Sequence, residues 1–122
     1  MTIRQHLANA RALLGDARQE INSTHGRFIM AYEGVHCLAL AFLNHHETRT
    51  SGEGHRALAL VLFMQQIGLN QYAPAIDRLH RMRNDIVYHR PAPPVDRQTV
   101  ELVVTVLEAA LPLTEALAAG GE

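Results

Sequence analysis

The sequence predicts an all-α domain: an up-and-down bundle of four main helices with an additional C-terminal helix. Three observations predict it. Apolar residues recur at alternating spacings of four and three along most of the chain. No apolar–polar alternation is long enough to make a strand. The breaks between periodic stretches fall at Asn22–Ser23–Thr24, at residues 44–54, at Gly68 and at residues 90–94, where Gly, Pro and small polar residues gather. The 122 residues make one domain. A chain of this size buries roughly two thirds of its unfolded surface, so its fold needs no metal or disulfide.

The elements follow in order. Thr2 caps the first helix, with Gln5 three residues on as its capping-box partner. Ile3, Leu7, Ala10, Leu14, Ala17 and Ile21 form one apolar stripe, which ends near Asn22–Ser23–Thr24. The second helix runs from Thr24 to Leu43. Its second half, VHCLALAFL, is apolar nearly all round and is expected to be the most buried element. Gly34 lowers its helix propensity by roughly 1 kcal/mol relative to Ala, which a close neighbouring helix would explain. Residues 44–54, NHHETRTSGEG, read as a loop. ALALVLFMQQ forms the third helix, stopped by Gly68 as a residue just past its end. Pro74 falls in the first turn of the fourth, where its missing N–H is harmless. That helix places Ala75, Leu79, Met82 and Ile86 on one face and ends at His89, because RPAPP cannot continue it. Asp96 caps the fifth, with Val100, Val103, Leu107, Leu111 and Thr114 along one face and a late kink expected at Pro112.

Charge narrows the function classes. The chain has 11 basic and 12 acidic residues, and every basic one is arginine. A domain that coats nucleic acid non-specifically carries a large positive excess, so any contact with a polyanion must be local here. Residues 78–90 are the local candidate: Arg78, Arg81, Arg83 and Arg90 stand against Asp85 alone, with His80 and His89 among them. Cys37 is the single cysteine, which excludes an intramolecular disulfide and Cys-rich zinc modules and leaves an inert core thiol. The strongly apolar runs 37–43 and 57–64 fall short of a membrane span, and MTIRQHLANA lacks the apolar core of a signal peptide. A soluble cytoplasmic protein without membrane partners is expected.

The fourth helix is the informative one. With Leu79 at 0° and about 100° per residue, Arg83 falls at about 40° and His89 at about 280°, on opposite sides of the stripe. They are about 9 Å apart along the axis. Asp85, four residues before His89, is placed to orient the imidazole. Spacing alone favours an ordinary reading: a snorkelling arginine and a histidine suited to a helix C-terminus.

The literal string says more. Arg83-Asn84-Asp85-Ile86-Val87-Tyr88-His89 resembles the Arg–polar–x(3–5)–His signature of the HEPN superfamily (higher eukaryotes and prokaryotes nucleotide-binding). The wider chain is similar too: Gly26-Arg27-Phe28, Tyr32, His36 and Leu38-Ala39-Leu40 match the second helix of such domains, and Ser51-Gly52-Glu53-Gly54 matches the loop before the third. The resemblance spans about residues 3–118 and makes the expected bundle HEPN-like. It implies a metal-independent endoribonuclease without cofactor, cutting RNA by attack of a ribose 2′-OH. Such proteins are toxins or antiphage effectors. They act as homodimers with facing Arg–His motifs, and an antitoxin is often encoded beside them. Arg83, Asn84 and His89 are then the catalytic candidates, Arg78, Arg81 and Arg90 the RNA-binding ones, and Asp85 and Tyr88 the support. The chemistry is consistent: imidazole titrates near neutral pH and serves as base or acid, and guanidinium holds phosphate oxygens through a fixed fork. One branch carries a modified tyrosine two residues after the His; Pro91 stands there, so that modification is not carried over. The alternative within the resemblance is a non-catalytic helical module that binds a nucleotide or a protein partner.

Other candidates are weaker. His45-His46-Glu47, with His25 and His55, reads as solvated loop histidines rather than a metal site, since adjacent loop residues lack the facing i, i+3 or i+4 pairs of a bundle site. Glu33, Asp77 and Glu101 show no paired-carboxylate spacing.

Overall fold

The computed structural model describes residues 2–45, 55–89 and 91–120, and all regular structure among them is helical. The helices are α1 (Ile3–Ala17), α2 (Thr24–His45), α3 (His55–Gln66), α4 (Ala73–Tyr88) and α5 (Arg97–Gly120), with a single 3₁₀ turn at Asn70–Tyr72.

Each boundary has a local cause. Thr2 Oγ1 accepts from Gln5 N at 3.1 Å and Gln5 Oε1 accepts from Thr2 N at 2.8 Å, the expected capping box. The α1 stripe is buried at Ala10, Leu14 and Ala17 but stops there, and Ile21 is 92 % exposed instead of extending it. Arg27 of α2 reaches back, and its Nε donates to Ala17 O at 2.8 Å. The Asn22 amide donates to Asp16 O at 3.1 Å. Carbonyls that another turn of α1 would have used are thus satisfied by the linker and by the next helix. At the end of α3, Leu69 N donates to Met64 O and Gly68 N to Gln65 O, with Gly68 at φ +81°. This is a Schellman motif, and its left-handed residue is the reason for the glycine. The Asp96 carboxylate accepts from Thr99 N at 2.7 Å and starts α5. All five residues of the expected α5 stripe, Val100, Val103, Leu107, Leu111 and Thr114, are buried. The helix runs through Pro112 to Gly120.

α2 is the central element: it packs against each of the other four helices, most extensively α1 and α5. Phe28, Tyr32, Val35 and Leu38 are fully buried along it. At Gly34 the Leu107 side chain of α5 approaches so closely that an added Cβ would lie 2.6 Å from Leu107 Cδ2, the close neighbour that the sequence led us to expect. Arg11 pairs with Glu115 at 2.5 Å and Arg18 with Glu108 at 2.7 Å, which sets α1 antiparallel to α5. These exposed pairs fix register more than stability, at roughly 0–1 kcal/mol each. α3 and α4 pair with one another and pack on α2. The segment after α4 is tied to the start of α2, where His25 Nε2 meets Pro93 O at 2.6 Å.

Averaged over a window rather than read as unbroken runs, two helices are long and apolar enough to cross a membrane: Thr24–Leu43 and Arg97–Ala119, at mean hydropathy 1.2 and 1.7. Both contribute to the core, and they pack against each other.

Candidate functional site

The face of α4 turned to the core differs from the expected one. Ile76 and Leu79 are buried, whereas Ala75, Met82 and Ile86 are half-buried. The buried stripe continues from Ile76 and Leu79 to Arg83, at spacings of three and four, and the Arg83 side chain is only 18 % exposed. Arg83 therefore stands on the core face, not at its edge. What permits this is Glu33 of α2, whose Oε1 lies 3.3 Å from Arg83 Nε. A largely buried cation needs a counter-charge, and among the described residues Glu33 supplies it.

Around that pair lies a chain of polar contacts between α2 and α4. Arg83 Nη1 donates to Asn84 Oδ1 at 3.1 Å. Asn84 Nδ2 lies 3.3 Å from His80 Nε2, and His80 Nδ1 lies 2.8 Å from the Tyr32 hydroxyl. The donors settle the proton positions. Guanidinium only donates, so the Asn84 oxygen must face it and the amide NH₂ must face His80. His80 Nε2 then accepts and its Nδ1 carries the proton toward Tyr32. On the other side, Glu33 Oε2 is 3.7 Å from His36 Nδ1. The Arg83 guanidinium also lies 5.9 Å from the centroid of the Tyr88 ring, within cation–π range.

His89 is placed differently. α4 ends at Tyr88, and His89 is its C-cap with φ −113° and ψ 141°, so the helical angle assigned to it does not apply. Its imidazole is 70 % exposed, and Nε2 lies 3.6 Å from Asp85 Oδ1, within ion-pair range but beyond hydrogen-bond distance. Arg83 and His89 thus belong to different environments within one chain, one anchored and one solvated. Tyr88 is 71 % exposed. Of the arginines expected to bind RNA, Arg78 is exposed, Arg81 is exposed and paired with Asp77, and Arg90 lies outside the described residues.

Further along the same side, His6 of α1 is buried and its Nδ1 lacks a hydrogen-bond partner. Burial first, then nearby positive charge including that of His36, holds its imidazole below the ordinary histidine value. Among the described residues, no group of three His, Cys, Asp or Glu side chains stands together as metal ligands. His46 and Glu47 lie outside the described residues, as do the side chains of His45 and His55.

The sequence reading passed over Glu33 and His80 as site residues. His80 had a usable signal, since it precedes Asn84 by four and shares its helix face. Glu33 had none beyond standing beside Tyr32, since its partner is fifty residues away. A scan against protein-family models and searches of curated proteins and of solved structures give no match to this chain.

Proposed function

We propose that this chain is a metal-independent endoribonuclease of HEPN type, acting as a homodimer. The observation that carries the reading is the split between an anchored Arg83 and a solvated His89 at the end of one helix. Phosphodiester cleavage by a ribose 2′-OH uses both. Imidazole takes the 2′ proton, the oxygen attacks phosphorus, and the guanidinium fork stabilises charge on the non-bridging oxygens. The 5′ oxygen leaves with a proton from a second imidazole, giving a 2′,3′-cyclic phosphate. One chain supplies one such histidine, so a two-fold axis through the ends of two α4 helices completes the set. Tyr88 and Val87, exposed at that end, give the second copy an apolar surface to meet. An RNA-cutting protein of this kind is a toxin or an antiphage effector in the cytoplasm, and a neutralising antitoxin protein is its natural partner.

The experiment is RNA cleavage by the purified protein in EDTA, with His89→Ala beside it. Cleavage by the wild type that survives chelation and is lost in the variant supports the reading, since a general acid–base group contributes about 10²–10⁴-fold. The fold is expected to survive, because the exposed imidazole contributes little to packing. Wild-type cleavage that depends on a divalent ion, or a variant as active as the wild type, refutes it.

One observation favours a second reading. Glu33 already neutralises Arg83, as suits a structural pair in a non-catalytic module. Such a module binds RNA, a nucleotide or a protein without cutting, and is equally indifferent to His89.

A further inference from the structure

Arg83 is held on one side and open on another. Its Nε is buried and 3.3 Å from Glu33 Oε1, yet the N–H is not directed at that oxygen, so the attraction is charge to charge rather than a formed hydrogen bond. Nη1 is committed to Asn84. Nη2 has no protein partner among the described residues. The Glu33 carboxylate is itself steadied on its own helix by His36, 3.7 Å from its other oxygen. A carboxylate so placed has two effects on the guanidinium. It cancels charge that an approaching polyanion would otherwise feel, and it restricts the plane in which the open N–H groups face outward.

We infer that Glu33 is a positioning residue for Arg83, one that lowers affinity for RNA while fixing the orientation in which the guanidinium meets a phosphate. This rests on the ribonuclease reading. Without Glu33, Arg83 carries an uncompensated charge and swings among several orientations. Binding then strengthens while turnover weakens. A residue that merely packs between α2 and α4 produces neither change, and one that merely stabilises the fold lowers both together.

The test uses Glu33→Gln and Glu33→Ala. Binding of a labelled single-stranded RNA of mixed sequence is measured against salt in the His89→Ala background, and single-turnover cleavage in the background with His89 intact. Both variants bind about five-fold more tightly, the effect of removing one counter-charge at a partly exposed site. The slope of log K against log salt steepens by about 0.7, the value for one more phosphate neutralised on a single strand. Turnover is where they differ: Glu33→Gln keeps the side-chain volume beside Nε and most of the rate, whereas Glu33→Ala opens space into which the guanidinium shifts and loses roughly ten-fold or more. An unchanged salt slope in Glu33→Gln overturns the inference and leaves the ribonuclease reading standing. Should Glu33→Ala fail to fold, the Glu33→Gln slope decides by itself. A wild-type protein that neither binds nor cuts RNA removes both, at the first step and before any Glu33 variant is compared.

Discussion

A methyl group added at Gly34 sets two effects of opposite sign against each other. Alanine is the better helix former by about 1 kcal/mol. The new Cβ, however, would lie 2.6 Å from Leu107 Cδ2, 3.2 Å from Cδ1 and 3.5 Å from Cγ. Carbon atoms rest at about 3.5–4.0 Å, so α2 and α5 must part by about 1 Å or the leucine must turn away. Leu107 is 0 % exposed, so turning away means repacking against neighbouring core side chains. Overpacking of this kind costs about 1–3 kcal/mol, and a contact this short falls toward the upper end. The net for Gly34→Ala is a loss of about 1–2 kcal/mol, or roughly 4–8 °C in Tm. Urea unfolding gives the number. The cause is isolated by a cycle with Leu107→Ala, which alone costs about 2–5 kcal/mol. With both changes the new methyl occupies part of the vacated space, so the double variant is more stable than the sum of the singles by about 1 kcal/mol or more. A Gly34→Ala protein more stable than wild type, or singles that add within about 0.5 kcal/mol, refutes the reasoning.

If the chain cuts RNA as proposed, Arg83→Lys keeps the charge and loses the fork, so single-turnover cleavage falls by about 10²-fold with little change in RNA affinity. Arg78→Lys and Arg81→Lys are nearly silent, and equal small losses at all three positions would show that Arg83 is one cation among several. His6 titrates lower in the folded protein than in the unfolded chain, so the unfolded state takes up a proton first. Stability therefore falls as pH drops through about 6.5 and levels off below the folded value. His6→Leu flattens that part of the profile, and a urea midpoint that declines as steeply in the variant excludes His6 as its source. Asp96 has linkage of the same sign at lower pH: hydrogen bonds from the Thr99 hydroxyl and N–H hold its carboxyl below the usual range. Its contribution is complete above about pH 4 and is lost as pH falls through the folded value. Asp96→Ala therefore lowers the urea midpoint at neutral pH and converges with wild type in acid, and a constant offset at every pH would count against the cap.

The sequence made the helices legible because their signals are local. The Thr2–Gln5 box, the Gly68 stop and the Asp96 cap each involve residues within a few positions of one another, and each forms as expected. The apolar stripe of α5, at spacings of three and four, survived for the same reason. α4 went astray because only apolar residues were counted. Its buried face includes an arginine, and a cation is invisible to a hydrophobic pattern until its counter-charge is known. That counter-charge is Glu33, on another helix, where no spacing rule applies. The end of α1 failed in a related way: Ile21 fits the stripe by periodicity, but Arg27 of the next helix claims a carbonyl the extra turn needed. The motif residues were found by their string, yet their surroundings were not. Whether an arginine is anchored or a histidine solvated depends on tertiary packing.

The tie between His25 and the Pro93 carbonyl bears on how little must be ordered when a ligand arrives. The amide of His89 is bonded to Asp85 O at 3.1 Å on one side, and on the other the chain is secured at Pro93, with Val95 buried just beyond. Between these anchors the His89 side chain is exposed. Recruiting a catalytic group from a loose loop costs about 1–2 kcal/mol per residue in backbone freedom. In the proposed reaction, recruiting His89 costs the rotation of a single side chain, about 0.5–1.5 kcal/mol.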